Sequence, residues 1–219
     1  TTAGFSIVTY TGNGVSGATI GHGLSTTAPK VVLIKKRSAA DAWTMLNTNV
    51  DLNKYLRLDS SSAQVSDAVF NNTAPTTSVF TVDADGQVNE NTNTFVAYCF
   101  SEVKGYSRFG TYEGNGVASG GGPFIYLGFR PAWFLLKELG TDAWTLLDNK
   151  RLGYNKRNDM LFPDNSNVEY ASDRIELVSN GVKIIDNDGS INQSGQTYIY
   201  MAFAESPFVN SKGIPNNAR

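Results

Sequence analysis

The segment Tyr10-Thr11-Gly12-Asn13-Gly14 returns 102 residues later as Tyr112-Glu113-Gly114-Asn115-Gly116. Pro29 and Pro131 stand at the same separation, and the sequence Asp-Ala-Trp-Thr at 41–44 is repeated at 142–145. This period is longer than the roughly 20–50 residues of a solenoid unit. The pattern therefore indicates two copies of a domain-sized module.

The ends of the two copies agree as well. Asp83-Ala84-Asp85-Gly86 corresponds to Asp186-Asn187-Asp188-Gly189, and the apolar run beginning at Thr94 corresponds to the run beginning at Thr197. We therefore divide the chain into a first repeat at residues 1–103, a second repeat at 104–208 and a C-terminal tail at 209–219. Residues that both copies keep are expected to be scaffold, and function is expected in what one copy alone has.

Strand signals dominate both copies. The continuous apolar runs Val31–Ile34 and Trp133–Leu136 predict central strands that are covered on both faces. Asp85-Gly86 and Asp188-Gly189 predict hairpin turns, and Ser62–Phe70 is a weak helix candidate. The sequence thus predicts an all-β fold, a duplicated β-sandwich or jelly-roll-like module with an internal pseudo-twofold. One shared sandwich and two adjacent sandwiches both remain open.

Composition narrows the classes of function. The formal net charge is −2 and charged residues make up 17% of the chain, which disfavours nonspecific nucleic-acid binding and suits an extracellular or virion protein. The single cysteine, Cys99, permits no disulfide within the chain and is predicted to be a small buried residue. Apolar runs are too short for a membrane-spanning helix, so membrane insertion is not expected.

Catalytic and metal-binding patterns are sparse. His22 is the only histidine, and no Gly-x-Ser-x-Gly motif accompanies it. We predict that His22 is a loop residue bonded to the backbone, that the protein is not an enzyme and that it needs no cofactor. Four paired carboxylates are predicted to bond their own turns, with a weaker calcium-binding alternative: Asp83, Asp85, Asp186 and Asp188.

The segment from Asn149 to Asp159 distinguishes the second copy from the first. It carries four cations, whereas residues 48–54 of the first copy carry one. A solvated or subunit-contact loop is the simpler interpretation. The alternative is a ligand patch for anionic or hydroxyl-rich groups, which guanidinium groups bind in bidentate geometry. On this hypothesis the ligand-binding residues are Lys150, Arg151, Tyr154, Lys156 and Arg157, with Trp133 as a stacking platform.

Several motifs together resemble a known family: Ile20-Gly21-His22-Gly23-Leu24, Asn71-Asn72-Thr73-Ala74-Pro75-Thr76, Asp148-Asn149-Lys150-Arg151 and Tyr200-Met201-Ala202-Phe203-Ala204-Glu205-Ser206-Pro207-Phe208. They resemble a domain of unassigned function that recurs in tail-fibre and other virion proteins of marine bacteriophages, often near laminin-G or concanavalin-like lectin modules. The resemblance covers essentially the whole chain and brings no catalytic residue with it. It implies a virion protein that recognises the host surface.

We therefore expect a bacteriophage tail-fibre or spike domain, on the outside of the tail or capsid, that attaches noncovalently to host-surface glycan or another receptor. The resemblance to fibre domains also implies a homotrimer, in which weak sites gain avidity, and contacts with other virion proteins. The alternative is a purely structural virion protein, a capsid decoration or baseplate component, that binds other virion proteins. A polysaccharide depolymerase ranks below both, because the paired carboxylates lie in turn sequences that both copies share.

Overall fold

A computed structural model describes residues 4–24, 27–151, 159–171, 173–207 and 209. The chain divides into two compact units, one of residues up to Asp59 with Gln64–Glu102, the other of Ser60–Ala63 with the residues from Val103 onward. Strands dominate the described residues, and the two α-helices there are single turns. The predicted all-β fold is confirmed. No helix in the described ranges is long and apolar enough to cross a membrane.

The described part of the first unit runs in the order β1 (Phe5–Thr11), β2 (Ala18–Gly21), β3 (Val31–Lys36), β4 (Trp43–Asn47), β5 (Lys54–Arg57), β6 (Val65–Ser66), β7 (Val79–Val82), α1 (Gly86–Asn89) and β8 (Thr94–Phe100). One antiparallel sheet has the strand order β1-β8-β3-β4-β5-β6, and β2 pairs with β7 in a second. β3 lies between β8 and β4, so the central strand predicted from its apolar run is confirmed.

The core of the first unit lies between these two sheets. Alternate residues of β8 point inward, and Phe95, Ala97 and Cys99 are fully buried. The same core contains Val32 and Ile34 of β3 together with Phe80 and Val82 of β7. Apolar side chains from both sheets therefore pack in one layer, as a sandwich requires. The prediction that Cys99 is buried is confirmed, and burial raises the pKa of its thiol to about 12.

The described part of the second unit runs in the order β9 (Ser107–Glu113), β10 (Phe124–Tyr126), β11 (Pro131–Glu138), β12 (Thr145–Asp148), β13 (Ile175–Val178), β14 (Gly181–Ile184), α2 (Gly189–Asn192) and β15 (Thr197–Ala204). Its sheets have the orders β12-β11-β15-β9 and β10-β14-β13. Phe134 and Leu136 of β11 share a core with Tyr198 and Tyr200 of β15 and with strands of the smaller sheet. The predicted central position of β11, between β12 and β15, is confirmed.

The two units share a strand order. β12-β11-β15-β9 in the second unit corresponds to β4-β3-β8-β1 in the first, and the pair β10–β14 corresponds to β2–β7. The sequence-matched lysines Lys35 and Lys137 stand at corresponding positions of β3 and β11. Matched positions can therefore be compared residue by residue. Duplication itself stays an interpretation of the sequence.

The repeated Tyr-x-Gly-Asn-Gly motif docks onto the single-turn helix of its own unit. The hydroxyl of Tyr10 donates to the Val88 carbonyl at 2.6 Å, and that of Tyr112 donates to the Ile191 carbonyl at 2.7 Å. A Cβ on Gly12 would stand 2.2 Å from the carbonyl oxygen of Glu90, so only glycine permits this approach. The motif is a scaffold element in both units.

The local predictions for turns and helices were wrong at three places. Asp85-Gly86 and Asp188-Gly189 are not hairpin turns, because Asp85 and Asp188 are the N-caps of α1 and α2. Residues 62–70 are not helical and instead contain the short strand β6. An Asp-Gly pair is common both in hairpin turns and at the start of helices. In this protein the tyrosine of the Tyr-x-Gly-Asn-Gly motif donates to a carbonyl of the short helix, and this contact favours the helix.

The matched tryptophans differ in burial. Trp144 is fully buried, as expected of a scaffold residue. Trp43 is less completely buried and remains partly exposed. It lies 5.9 Å from the Tyr98 ring and beneath Lys35, whose Nζ is 5.6 Å from the ring centroid. The lysine stem and the tyrosine cover the indole only in part.

Candidate functional site

His22 is a structural residue. Its ring is fully buried, Nδ1 accepts a hydrogen bond from the Leu24 N–H at 3.1 Å, and Nε2 lies 3.1 Å from the Thr76 carbonyl oxygen. Because Nδ1 is the acceptor, the ring proton is assigned to Nε2, which donates to Thr76. The predicted bonding of His22 to the backbone is confirmed. Both nitrogens are occupied, so the ring is not positioned to shuttle protons.

The four carboxylates of the repeated turns bond their own backbone, as predicted. Oδ1 of Asp85 accepts from the Gln87 N–H at 2.7 Å, and Oδ1 of Asp186 accepts from the Asp188 N–H at 2.8 Å. The Ser16 hydroxyl and the Ala84 N–H lower the pKa of Asp83. Among the described residues, no three His, Cys, Asp or Glu side chains are grouped to hold a metal ion. Asp85 and Asp188 cap the single-turn helices, and Asp83 and Asp186 bond the backbone of the turns that precede them.

The predicted cationic patch is only partly described. Tyr154, Lys156 and Arg157 lie outside the described residues. Lys150 is exposed, and its N–H donates to Asp148 Oδ1 at 2.8 Å.

Arg151 does not stand as an isolated cation. Its Nε donates to Asp148 Oδ2 at 2.8 Å, and its Nη1 forms an ion pair with Glu169. Asp148 and Glu169 therefore bind this guanidinium and fix its position. It is not an unpaired cation that could bind an anionic ligand freely.

Trp133 is partly exposed on β11. Its ring centroid lies 5.4 Å from that of Phe203, at an interplanar angle of 57°. The register between β11 and β15 shifts between Pro131 and Trp133. Trp133 therefore packs on its neighbouring strand, and it does not line either of the clefts described below.

A cleft of about 290 Å³ opens in the second unit. Its walls come from the β11–β12 connection, the start of α2, the residue before β13 and the segment that follows Asp159. The lining residues are Asp142, Ala143, Met160, Phe162, Tyr170, Arg174, Asp188 and Ser190. Met160 and Tyr170 face each other in a two-way backbone bridge, with N···O distances of 2.9 and 3.0 Å. This bridge holds the tyrosine at the rim.

Arg174 organises the charged side of the cleft. Its Nη1 lies 2.7 Å from Asp188 Oδ2, and its guanidinium carbon lies 4.9 Å from the centroid of the Tyr170 ring. Oδ1 of Asp188 accepts from the N–H and hydroxyl of Ser190 at 3.0 and 2.5 Å. Burial raises the pKa of Asp188, but the bonds from Ser190 and the charge of Arg174 outweigh it and lower the pKa below its ordinary value. Asp188 is therefore a fixed anion.

The opposite side of the cleft is apolar. Met160 is buried, and Phe162 packs against the core of the unit. The Tyr170 side chain is 45% exposed. An apolar wall, an accessible aromatic ring and a few oriented polar groups are the usual ingredients of a small-molecule site.

The predicted Lys150–Asp159 segment adjoins this cleft at both of its described ends. Arg151 pairs with Glu169, the residue before Tyr170, and Met160 follows Asp159 directly. Sequence reasoning therefore found the neighbourhood of the cleft. It missed Asp142, Tyr170 and Arg174, which come from separate elements. One difference in the sequence could have pointed to Asp142: close to it, the second copy has Glu138 where the first copy has Lys36.

A second cleft, of about 330 Å³, lies in the first unit between β1 and β2. The described residues that line it include Thr9, Thr11, Asn13, Thr19 and Asn89, and none of them carries a charge. The Asn13 and Asn89 side chains bond each other and the adjacent loop. The amide groups of Asn13 and Asn89 therefore hold the loop in place and are not free to bind a ligand. The cleft of the second unit is for this reason the stronger candidate site.

The profile of one protein family, a domain of unknown function designated DUF7483, matches residues 1–207. The chain belongs to this family. Comparisons with curated proteins and with solved structures gave no match. The predicted membership in a family of unassigned function is confirmed. The DUF7483 match spans both units but assigns no role to any residue, so the function has to be argued from the cleft.

Proposed function

We propose that this chain is the receptor-binding part of a bacteriophage tail fibre or spike, and that it attaches noncovalently to glycan on the host surface. The observation that carries the proposal is the cleft formed by Tyr170, Arg174, Asp188 and Asp142. The motifs that resemble marine-phage virion domains supply the biological setting. On this proposal the domain acts on the outside of the particle.

The cleft has the chemistry that a sugar ring needs. A pyranose presents an apolar face, which packs on an aromatic ring, and hydroxyl groups, which donate to carboxylates and accept from guanidinium groups. Tyr170 supplies the ring, and the pair of Arg174 and Asp188 supplies both kinds of polar group. A volume of about 290 Å³ holds one or two sugar units and gives a weak single site. A homotrimer would raise the overall affinity through avidity.

Noncovalent binding fits the cleft better than hydrolysis does. A glycosidase needs one carboxyl group with a raised pKa as the general acid. Asp188 has a lowered pKa, and its two oxygens already accept bonds from Ser190 and Arg174. Protonating Asp188 would break the ion pair. Burial raises the pKa of Glu138, but Glu138 is not among the lining residues of the cleft. We therefore predict that incubation with host polysaccharide releases no reducing sugar.

Replacement of the aromatic ring tests the proposal. Tyr170→Ala removes an exposed ring, so the fold should persist while adsorption to host cells weakens by about tenfold, the effect of losing one aromatic anchor. Val117→Ala is the control, since Val117 is 48% exposed in the same unit but lies outside the cleft. Unchanged adsorption by Tyr170→Ala, or equal loss in both variants, would contradict the assignment.

One observation favours a purely structural virion protein instead. Phe124 and Tyr126 are 48% and 57% exposed on β10, which is an edge strand of its sheet. Exposed aromatic residues on an edge strand suit a protein contact. If the protein is purely structural, a double Phe124→Ser, Tyr126→Ser variant should fail to enter the particle. The receptor-binding proposal predicts that the same variant assembles normally.

A further inference from the structure

Two sequence-matched aspartates, Asp41 and Asp142, occupy equivalent local positions in the two units. Each begins the repeated Asp-Ala-Trp-Thr segment. Oδ1 of Asp41 accepts from the Ala42 N–H at 2.8 Å, and Oδ1 of Asp142 accepts from the Ala143 N–H at 2.9 Å. The two carboxylates are therefore held in the same way by the backbone, and any difference between them comes from their neighbours.

The neighbours reverse the local charge. In the first unit Lys36, which is 7% exposed, places Nζ 2.6 Å from Asp41 Oδ2 and 2.9 Å from Glu90 Oε2. At the matched position of β11 stands Glu138, which is also 7% exposed. The lysine that neutralises Asp41 is thus replaced by a second acid beside Asp142.

Lys137, the nearby cation, lies close enough for the charge of Asp142 to oppose the lowering of its pKa by burial, but it forms no ion pair with that carboxylate among the described contacts. Its Nζ donates to the carbonyl oxygens of Glu138 and Gly140 at 2.5 and 2.6 Å. Around the described part of the cleft, the ion pair is that of Arg174 with Asp188, and none involves Asp142. The described lining of the cleft therefore contains two carboxylates and one guanidinium, and that guanidinium is paired with Asp188.

Space is left beside the Asp142 carboxylate, which has no ion-pair partner among the described residues. Gly189 faces it, and a Cβ there would stand 3.4 Å from Asp142 Oδ2. An ionised carboxylate only accepts hydrogen bonds, so its partner has to donate. A protonated amine donates and also carries the opposite charge, whereas a second carboxylate or a sulfate would be repelled.

We propose that the cleft of the second unit selects a saccharide that carries a free amine, with Asp142 accepting from the ammonium group and Tyr170 packing against the sugar ring. This inference rests on the proposed glycan binding. It differs from the hypothesis, based on the cationic segment, of a patch for anionic or hydroxyl-rich groups. The preference belongs to the second unit because Lys36 already occupies Asp41 in the first.

Three tetrasaccharides separate the possibilities by isothermal titration calorimetry: a glucosamine tetramer, its fully N-acetylated form and a galacturonic acid tetramer. At about pH 5 most of the glucosamine amines are protonated and the galacturonate carboxylates are ionised. We expect the glucosamine tetramer to bind at least about tenfold more tightly than the acetylated form, a factor equivalent to about 1.4 kcal/mol. The galacturonic acid tetramer should bind most weakly.

Two variants should abolish the preference for the amine. Asp142→Asn removes the charge, and Glu138→Lys restores the lysine that the first unit tolerates at the same position. Asp41→Asn is the matched control and should retain the preference. A preference for galacturonic acid, a preference unchanged in Asp142→Asn, or no binding of any tetramer would each overturn the inference. Host adsorption that still depends on Tyr170 would leave the proposed function standing in that event.

Discussion

Lys137 gives a quantitative test of the packing next to Asp142. Its side chain is fully buried, and burial lowers its pKa to about 8 although the charges of Glu138 and Asp142 oppose this effect. In the unfolded chain the pKa of a lysine is about 10.4. A protonated Lys137 therefore favours the unfolded state, and Lys137→Met removes that penalty.

The sign of the pH dependence follows from proton binding. Between about pH 8 and pH 10 the unfolded chain holds a proton on Lys137 that the folded chain has lost, so the free energy of unfolding rises with pH. Below about pH 8 both states are protonated and the contribution is constant. Each pH unit that separates the folded and unfolded pKa of a group is worth about 1.4 kcal/mol. Because Lys137 is partly titrated at both ends of the range, we expect it to contribute a rise of about 2–3 kcal/mol between neutral pH and about pH 10.

Urea unfolding followed by tryptophan fluorescence measures this effect. A Trp43→Phe background confines the signal to Trp133 and Trp144 of the second unit. Cys99 adds an opposite trend, because its thiol keeps its proton in the folded chain, where burial raises its pKa to about 12, and loses it in the unfolded chain above about pH 8.5. This trend is the same in both proteins and cancels in their difference. The stability of Lys137→Met relative to its parent should fall by about 2–3 kcal/mol from neutral pH to about pH 10. A difference in stability that does not change with pH would refute the reasoning.

Three further changes test the scaffold. Trp144→Ala should lower the free energy of unfolding by about 3–5 kcal/mol, and Trp43→Ala by clearly less, because only Trp144 is fully buried; equal losses in urea denaturation would contradict this. Gly12→Ala should cost about 1–3 kcal/mol through its clash with a backbone carbonyl, while Gly86→Ala, which has open space, should not destabilise. Cys99 should resist thiol reagents at about pH 8 until the protein is unfolded, and rapid labelling of the native protein would contradict its burial.

Much of the fold was predictable from sequence because the strongest signals are local. The apolar runs of β3 and β11 identify central strands whatever their partners are. The single-turn helices were not predictable in this way. The Asp85-Gly86 pair starts α1, which is held by the Tyr10 hydroxyl from a strand distant in sequence. A tertiary contact decided between two conformations that local sequence allows equally.

The site was less predictable because its residues converge from separate elements. The number of cations in residues 149–159 predicts that Arg151 binds a ligand. In the structure its guanidinium is paired with Asp148 and Glu169. Net charge along a segment does not reveal which charges neutralise one another in space. The sequence shows that Glu138 stands where the first copy has Lys36. Only the structure shows that Lys36 forms an ion pair with Asp41, and therefore that Asp142 lacks the corresponding lysine.

The central claim is that the cleft of the second unit binds saccharide. The most direct measurement is NMR titration of isotope-labelled protein with the oligosaccharide that scores highest on a glycan array, with amide shifts mapped onto the sequence. We predict that the largest shifts fall on Asp142, Met160, Tyr170 and Ser190, around the cleft. Shifts confined to the first unit, such as its β1–β2 groove, or no shifts at saturating oligosaccharide, would contradict the claim.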